Sequence, residues 1–306
     1  FFVAPEVEFF YFKDADPSRV PVPLDTGSYF DLTTADVASD LRRRTIHHLE
    51  AMGIPVEYSF HEDSPSQHEI DLRYTDALSM ADNVMTLRLV VRETAMEQGV
   101  HATFMPKPLA DVQGSGMHTH LSLFEGDANV FHDPEQNHPL SETGQKFVAG
   151  LLHHAAEITA VTNQLVNSYK RLVDGFWAPV KPTWGMDNRT ASFRVIAGSP
   201  KATRLETRCP GADVNPYLAM AAVISAGLYG VEKGLKLTAP PITGTNQGAE
   251  HIPRAPRTLI ETTRNFRESA IARDWLGDTF VDHFAATREW EWRQWLDAVT
   301  DWEMKR

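Results

Sequence analysis

Three short segments of the chain place charged or imidazole side chains at every second position. They read PEVEFF at 5–10, MHTHLS at 117–122 and TRLETR at 203–208. Successive side chains of a β-strand point to opposite faces, so each segment predicts a strand with one face that packs and one that carries polar groups. Taken singly, such a face is also typical of the solvent side of a sheet. Several of them in one chain indicate that the polar face has a function.

The composition limits the class of protein. The chain has 306 residues, 42% of them hydrophobic, which allows a large core in one domain or two. The net charge is −12 and the basic residues are scattered, so we expect no nucleic acid partner. The longest apolar stretch, at 217–230, is shorter than the ~18 residues of a membrane span, so we expect no membrane partner. A single cysteine, Cys209, fits a reducing cytosol, and we expect a cytoplasmic protein.

Strand and helix signals alternate along the chain, which predicts an α+β fold. Strands are predicted at 6–12, 56–60, 68–74, 101–108, 117–124, 191–198 and 203–209. Helices are predicted at 33–53, 76–98 and 140–165, from Asn215 and Pro216 onward, and as two amphipathic helices at the end. Residues 172–185 predict a long functional loop and residues 238–256 a linker. Helix packing is the simplest role for Trp275, Trp290, Trp292, Trp295 and Trp302.

The acids of the predicted strands form a set of hard oxygen ligands. Glu6 and Glu8 project from one strand face, and adjacent carboxylates repel each other unless a cation lies between them. The other members of the set are Glu62, Glu69, Glu206 and the imidazole of His118. This combination suits Mg²⁺ or Mn²⁺ better than zinc or copper, and it is large enough for two metal sites.

Arginines accompany these acids, since Arg204 and Arg208 flank Glu206 on one strand face. Two divalent cations surrounded by arginines are the usual machinery of phosphoryl transfer, because the metals bridge phosphates and the arginines hold the developing charge. The sequence contains neither a GxxxxGK[ST] loop nor a GxGxxG fingerprint. If ATP binds here, it binds by another scheme.

Seven segments occur in order: PEVEFF, HE…QHEIDLRY, MADNVMTLR, FMPKPLADVQGSGMHTHLSLF, NSYKRLV, NRTASFRV and TRLETRCPGADVNPYLAMAA. Together they resemble the catalytic domain of the glutamine synthetase superfamily, over essentially all of residues 1–306. The resemblance implies an α+β domain whose curved antiparallel sheet forms a funnel-shaped active site flanked by helices. It also implies a ring-shaped homo-oligomer, commonly a dodecamer, and an N-terminal β-grasp domain that is not present in this chain.

The resemblance implies an ATP-dependent carbon–nitrogen ligase, in which the γ-carboxylate of glutamate is phosphorylated and an amine or ammonia then displaces the phosphate. By the matching motifs, one Mg²⁺ or Mn²⁺ near glutamate would be held by Glu8, Glu62 and Glu69. The ion that bridges the phosphates of ATP would be held by Glu6, His118 and Glu206. The nucleotide and its phosphates would be bound by His120, Ser122, Arg189, Arg194 and Arg204. Glutamate would be held by Gly114, Arg171 and Arg208.

Two positions depart from the family pattern. Ammonia-using members carry, before Ala-Pro, a glutamate that binds ammonium and accepts its proton, and this chain has Trp177 there. A tryptophan cannot take a proton, but its π face attracts an alkylammonium group by roughly 0.5–2 kcal/mol. We therefore expect an organic amine or polyamine as substrate, as in the γ-glutamylputrescine synthetase and γ-glutamylamine ligase branch. Gln113 replaces the usual asparagine and moves an amide that contacts glutamate by more than ~1 Å.

Two alternatives stay open at this point. An ordinary glutamine synthetase would need another base for ammonium, such as Asp174, although this residue also fits an exposed loop aspartate. A non-catalytic relative kept for assembly or sensing is the second alternative. Such a scaffold has no physical need for five converging carboxylates.

Overall fold

The computed structural model describes residues 1–135, 138 and 140–305. The strands are β1 (Phe2–Phe12), β2 (Val56–His61), β3 (Gln67–Leu72), β4 (Thr75–Asp76), β5 (His101–Thr103), β6 (Met117–Ser122), β7 (Phe124–Glu125), β8 (Ala128–Asn129), β9 (Trp184–Met186), β10 (Phe193–Ile196) and β11 (Arg204–Thr207). The helices are α1 (Ser39–Ala51), α2 (Ala77–Glu97), α3 (Glu142–His153), α4 (Ala155–Thr162), α5 (Val166–Arg171), α6 (Pro216–Glu232), α7 (Leu259–Glu268), α8 (Ala270–Leu276), α9 (Asp278–Asp297) and α10 (Asp301–Met304). The predicted α+β class is confirmed.

One large sheet organises the fold. Its strands lie in the order β2, β3, β1, β6, β11, β10, β9, and β4 and β5 pair with the two ends of β1. The pairs are antiparallel except for β9 with β10. β1 is the longest strand, with 11 residues, and it pairs with four others. This strand therefore brings the polar faces of β3 and β6 next to its own.

The other face of the sheet forms the apolar core. Val3, Val7 and Phe9 of β1 are fully buried at alternate positions, and Met117 and Leu121 of β6 continue the same face. These side chains belong to one cluster with buried residues of α2, α3 and α6. Burying this face leaves the intervening glutamates and histidines on the opposite side of the sheet.

The helix predicted at 140–165 is interrupted in the structure. His154 separates α3 from α4 with φ −106° and ψ 23°, and its ring packs edge-on against Tyr229 with the ring centroids 4.5 Å apart. α3 also lies very close to α6, since a Cβ at Gly150 would be 2.8 Å from the backbone nitrogen of Gly230. Tertiary packing against α6 accompanies the break in the helical periodicity, which a pattern of apolar spacing cannot show.

Two other boundaries differ from the prediction. The helix predicted from residue 33 begins at Ser39, because the Asp31 carboxylate accepts a hydrogen bond from the backbone nitrogen of Thr33 at 2.7 Å and holds a turn before the helix. The strand predicted at 101–108 ends at Thr103. Beyond it, the backbone nitrogen of Lys107 donates to Asn167 Oδ1 at 2.8 Å instead of to a neighbouring strand.

The C-terminal helices form a second, smaller core in which Phe266, Val281 and Phe284 pack against Val161 of α4. Trp292 and Trp295 lie with their ring centroids 4.8 Å apart, whereas Trp290 is 56% exposed and packing does not account for it. Residues 238–256, which the structure describes throughout, form no helix or strand. Within the described part of the chain, no helix combines the length and the apolar character needed to cross a bilayer.

Candidate active site

The polar faces of the strands meet in one cavity of about 420 Å³. The strand register places Glu6 opposite His118 on one side and opposite Asp71 on the other, and it places Glu8 opposite Glu69. The carboxylates that line the cavity are Glu6, Glu8, Glu62, Asp63, Glu69 and Asp71. The arginines that line it are Arg171, Arg189, Arg194 and Arg208. Gly114, His118 and Trp177 also line it, so the structure brings most of the predicted site residues together.

Glu6, His118 and Glu206 form the first candidate metal group. His118 Nδ1 lies 3.1 Å from Glu6 Oε2 and 3.9 Å from Glu206 Oε1. Ligand atoms of the three residues lie within 4.8 Å of one another, close enough to surround one ion. Burial alone would raise the pKa of Glu6, but hydrogen bonds and charges of His118 and His120 hold it well below its usual value. Glu6 is therefore ionised and suited to bind a cation.

Glu8, Glu62 and Glu69 form the second candidate metal group. Glu8 Oε2 accepts hydrogen bonds from the backbone nitrogen of Gly116 at 2.9 Å and from Gln67 Nε2 at 3.0 Å. Burial, followed by the charge of Glu8, raises the pKa of Glu62 to about 8. Burial and the surrounding carboxylates also raise the pKa of Glu69 well above its usual value. A divalent cation would relieve this repulsion, so the donor set fits Mg²⁺ or Mn²⁺.

Asp71 is a cavity carboxylate that sequence reasoning missed. It follows Glu69 by two residues on β3, so both project from the same face, and burial together with Glu6 raises its pKa to about 8. Its Oδ1 is buried without a hydrogen-bond partner among the described residues. The signal was present in the sequence, because Glu69 and Asp71 repeat the spacing of Glu6 and Glu8.

The residues predicted to hold glutamate lie beside both metal groups. Arg171 is 3% exposed, and its Nη2 lies 3.5 Å from His118 Nε2 and donates to the backbone oxygen of Arg208 at 3.2 Å. The glycine-rich lead of β6 allows this approach, because a Cβ at Gly116 would lie 2.5 Å from Arg171 Nη2. Gly114 likewise leaves no room for a side chain beside the carbonyl of Pro106.

Two arginines predicted to steady phosphates face the cavity. Arg194 Nη1 donates to Glu206 Oε2 at 2.9 Å, and its Nε donates to Asp187 Oδ1 at 3.0 Å. Arg189 is exposed and donates to the hydroxyl of Tyr29 at 3.3 Å. Arg194 is thus held in place by two carboxylates, whereas Arg189 donates to one hydroxyl.

The remaining residues predicted to bind ATP adjoin the first metal group. His120 Nε2 lies 2.7 Å from Glu6 Oε1, and Arg204 Nε donates to His120 Nδ1 at 3.2 Å. An arginine can only donate, so the ring proton of His120 lies on Nε2 and is donated to Glu6. Ser122 lies two residues further along β6, where Phe2 is its partner on β1. His120, Ser122 and Arg204 are not among the described residues that line the cavity.

Aromatic side chains form a wall of the cavity. Phe176 and Trp177 come from the loop predicted at 172–185, and Trp177 remains 50% exposed. Phe30 stacks on Phe60 of β2, with ring centroids 4.5 Å apart and an interplanar angle of 20°. Sequence reasoning missed Phe30 and Phe60, and with them Tyr29 and Tyr58. No local spacing relates the segment around residue 30 to β2, so no sequence signal marked this contact.

Two polar residues singled out in the sequence are engaged elsewhere. Gln113 lines the cavity, but its Nε2 donates to Asp63 Oδ2 at 2.6 Å. Asp174 forms an ion pair with Arg254 and is not among the described residues that line the cavity. The structure thus favours the interpretation of Asp174 as a surface aspartate over its role as a base.

A buried polar network supports β2, which ends just before Glu62, and β3, which carries Glu69. Asp25 Oδ1 lies 2.9 Å from His61 Nε2, and Arg42 Nη1 donates to His68 Nδ1 at 2.7 Å. Burial would lower the pKa of His61, but the hydrogen bond to Asp25 raises it, whereas burial and Arg42 lower the pKa of His68. Because Arg42 occupies the lone pair on Nδ1, the proton of His68 stays on Nε2, and that nitrogen is closed to a metal.

The family described as glutamine synthetase, catalytic domain, matches residues 1–306. The glutamine synthetase of Mycobacterium tuberculosis is 46% identical over 99% of this chain and 70% of its own length. That of Thermus thermophilus is 42% identical over 100% of this chain and 70% of its own length.

Two solved structures of GmaS are similar in fold. The apo form without ligand has a TM-score of 0.87 at 31% identity, and the match covers 99% of this chain and 71% of the GmaS chain. The complex with ADP, in conformation 1, has a TM-score of 0.88 at 32% identity, and the match covers 99% of this chain and 72% of the GmaS chain. The chain therefore belongs to the glutamine synthetase catalytic-domain family, whose members are ATP-dependent glutamate ligases.

Proposed function

We propose that this ligase joins glutamate to an organic amine or polyamine and gives a γ-glutamyl amide. The observation that supports the proposal is the wall formed by Phe176 and Trp177 in the cavity. Asp174 is the one acid in residues 172–183, and it is paired with Arg254 instead of facing the substrates. An alkylammonium group gains contact with an aromatic face and its carbon chain is sheltered there, whereas ammonium has no carbon to shelter.

Glutamine synthetases use divalent cations such as Mg²⁺ or Mn²⁺, and the donor set of this cavity fits them. Glu6, His118 and Glu206 would hold one ion. Glu8, Glu62 and Glu69 would hold the other. When bound, the cations supply positive charge that lets the glutamate carboxylate and the phosphates approach each other. The protein adds guanidinium groups from Arg171, Arg189, Arg194 and Arg208.

The reaction has two steps. An oxygen of the γ-carboxylate attacks the γ-phosphorus of ATP, the bond to the bridging oxygen breaks, and ADP leaves. The neutral amine nitrogen then attacks the γ-carbon and a new carbon–nitrogen bond forms. The bond to the phosphate-bearing oxygen breaks, and inorganic phosphate leaves with the former carboxylate oxygen and with the second proton that the nitrogen gives up. The amine must lose a proton before it attacks, and Asp63 and Asp71 are cavity carboxylates, outside the two metal groups, that can accept it. Arg189 and Arg194 hold the negative charge that develops in the first step, while Arg171 and Arg208 hold glutamate.

Ammonium is the second candidate substrate. The relatives that are 46% and 42% identical to this chain are both glutamine synthetases, whereas the GmaS structures are 31% and 32% identical. These identities favour ammonium, and the aromatic wall favours an organic amine. The two proposals differ in one measurable quantity, the ratio of kcat/KM for an amine to that for ammonium.

The test uses the purified full-length protein with ATP, Mg²⁺ and glutamate. Phosphate release is measured in parallel with ammonium, methylamine, ethanolamine, putrescine and spermidine. We expect an organic amine to give the highest kcat/KM. A higher value for ammonium than for every amine would refute the proposal and would support an ordinary glutamine synthetase.

Variants of Trp177 test whether the aromatic wall determines which amine the enzyme prefers. Trp177→Phe keeps an aromatic face and should keep the preferred amine, whereas Trp177→Ala should raise the KM for that amine about tenfold, as the loss of about 1.4 kcal/mol predicts. Trp177→Glu places a carboxylate at the wall and should shift the preference toward ammonium. Trp290→Phe on α9 is the matched control, because this exposed side chain is not among the described residues that line the cavity.

A further inference from the structure

A segment that joins α6 to α7 braces the loop that carries the aromatic wall. We call residues 242–255 the bracing segment. Arg254 of this segment forms an ion pair with Asp174 at the start of the loop. Backbone and side-chain hydrogen bonds also join the two segments, through Gln247, Ala249 and Ala255. The loop therefore has its position set by a part of the chain that is more than sixty residues away in sequence.

Asn246 is the centre of the bracing segment and is fully buried. Its Oδ1 accepts hydrogen bonds from the backbone nitrogens of Val180 and Lys181 at 3.0 Å and 3.1 Å. Its Nδ2 donates to the backbone oxygen of Lys181 at 2.8 Å and to Thr183 Oγ1 at 2.7 Å. All the hydrogen-bonding capacity of the side chain is used, and an amide is the group that offers two acceptor sites and two donors in this arrangement.

The backbone of Asn246 reaches a second part of the cavity. Its nitrogen donates to Thr190 Oγ1 at 2.9 Å. Thr190 follows Arg189, which lines the cavity, and the loop held by the Asn246 side chain carries Phe176 and Trp177. Asn246 therefore forms hydrogen bonds both to the turn that carries Arg189 and to the loop that carries Phe176 and Trp177. None of these bonds involves a predicted metal ligand, Arg171 or Arg208 directly.

We propose that Asn246 is a positioning residue that fixes the aromatic wall and thereby sets the affinity for the amine. The inference rests on the proposed function, because it assigns the amine to that wall. Asn246 does not touch the cavity, so it acts through Phe176 and Trp177. Among the described residues, Asn246 makes no hydrogen bond to a predicted metal ligand or to Arg171. It reaches Arg208 only indirectly, because the backbone nitrogen of Arg208 donates to Ser192, whose hydroxyl donates to Lys181. Loss of Asn246 should therefore weaken amine binding more than it weakens glutamate binding.

The first test is Asn246→Asp in the full-length protein. The substitution keeps the shape of the side chain but puts an oxygen where Nδ2 donates, so it faces the backbone oxygen of Lys181 and Thr183 Oγ1. We expect the KM for the preferred amine to rise about tenfold or more, while the KM for glutamate changes less than about twofold. Equal changes in both KM values, or no change in either, would overturn the inference.

The matched control is Asn129→Asp. Asn129 is also buried, and its Nδ2 donates to the backbone oxygens of Pro200 and Thr203 at 2.9 Å and 2.7 Å, away from the aromatic wall. This variant should lose a similar amount of thermal stability without a selective rise in the KM for the amine. If Asn246→Asp does not fold, Thr183→Val removes one of the four bonds and should raise the same KM by a smaller factor.

A spectroscopic measurement separates this inference from the proposed function. The fluorescence of Trp177 is obtained as the difference between each protein and its Trp177→Phe counterpart, and acrylamide quenching reports its exposure. Asn246→Asp should make Trp177 easier to quench, whichever amine the enzyme prefers. Unchanged quenching would overturn the positioning role even if an organic amine is the substrate. If ammonium is preferred and quenching increases, the proposed function is overturned, and so is the link from Asn246 to an organic amine. The role of Asn246 in positioning the wall would still stand.

Discussion

Without divalent cations, the protein should lose stability as the pH rises from 7 to 8. Glu62 and Asp71 have their pKa values raised to about 8, and burial also raises that of Glu69. At pH 7 the folded state therefore keeps protons that the unfolded state has already lost. Stability falls with pH wherever the folded state binds more protons, so this contribution is complete below the ordinary carboxyl pKa and is lost as the pH passes 8. The lowered pKa of His68 affects stability only below about pH 6.5, where the imidazole of the unfolded chain is protonated, so it does not contribute between pH 7 and 8.

The size of the effect follows from the number of protons. One net proton gives a slope of about 1.4 kcal/mol per pH unit. Three carboxyl groups contribute, but the cavity is open to solvent and the groups influence one another, so we take one net proton as the minimum. An unfolding entropy of about 2.1 cal/mol/K per residue converts this slope into a fall in Tm of about 2 °C per pH unit.

Cations should reverse the trend, because the ligands must lose their protons to bind metal. At 100 times Kd, Mg²⁺ or Mn²⁺ should add about 2.7 kcal/mol, or about 4 °C. At one fixed metal concentration, the gain should be larger at pH 8 than at pH 7. Differential scanning fluorimetry at constant ionic strength, with chelator or metal, measures both trends. Asp71→Asn should reduce the metal-free slope. A metal-free Tm that stays level or rises between pH 7 and 8 would refute the reasoning.

Three further predictions concern single residues. Glu206 neutralises Arg194 and Arg208 and belongs to the first metal group. Glu206→Gln removes its negative charge, so kcat/KM in the phosphate-release assay should fall about 100-fold or more. Gly116→Ala should raise the KM for glutamate about tenfold, because the new Cβ displaces Arg171. Gly244→Ala, where no atom lies within 4 Å of the new Cβ, should leave that KM unchanged. Asp174→Asn should keep kcat within about twofold with every amine, and a larger loss would restore its role as a base.

The alternation of polar and apolar residues predicted the candidate site well, because strand geometry is local. Two residues of β1 and two of β6 suffice as an example: Glu6 and Glu8 share a face, as do His118 and His120. Side chains at i and i+2 share a face in any strand, whatever the rest of the fold does. The same rule would have identified Asp71 beside Glu69. Which strands become neighbours is a long-range property, and here the sequence needed its resemblance to a family.

The parts that were not predicted depend on contacts between distant segments. The helix at 140–165 has continuous helical periodicity, but the chain turns at His154, where the ring packs against Tyr229 of α6. Phe30 stacks on Phe60 across thirty positions, and Asn246 supports a loop more than sixty positions away. Such pairs leave no periodic signal, because each contact joins single residues of segments that lie far apart in the sequence.

The ion pairs of Glu206 with Arg194 and Arg208 stabilise the folded chain when no ligand is bound, and the same side chains are available to bind ligands. Glu206 is fully buried, and its charge is neutralised by Arg194 and Arg208, since an unpaired carboxylate there would be strongly destabilising. A cation that binds Glu206 competes with these arginines, and an anionic substrate competes with Glu206 for them. Each ligand therefore lowers the cost of binding the other, because it takes over the charge that its competitor leaves unpaired. Reciprocity requires the coupling to be equal in both directions. Metal and anionic substrates should accordingly bind together more tightly than either binds alone.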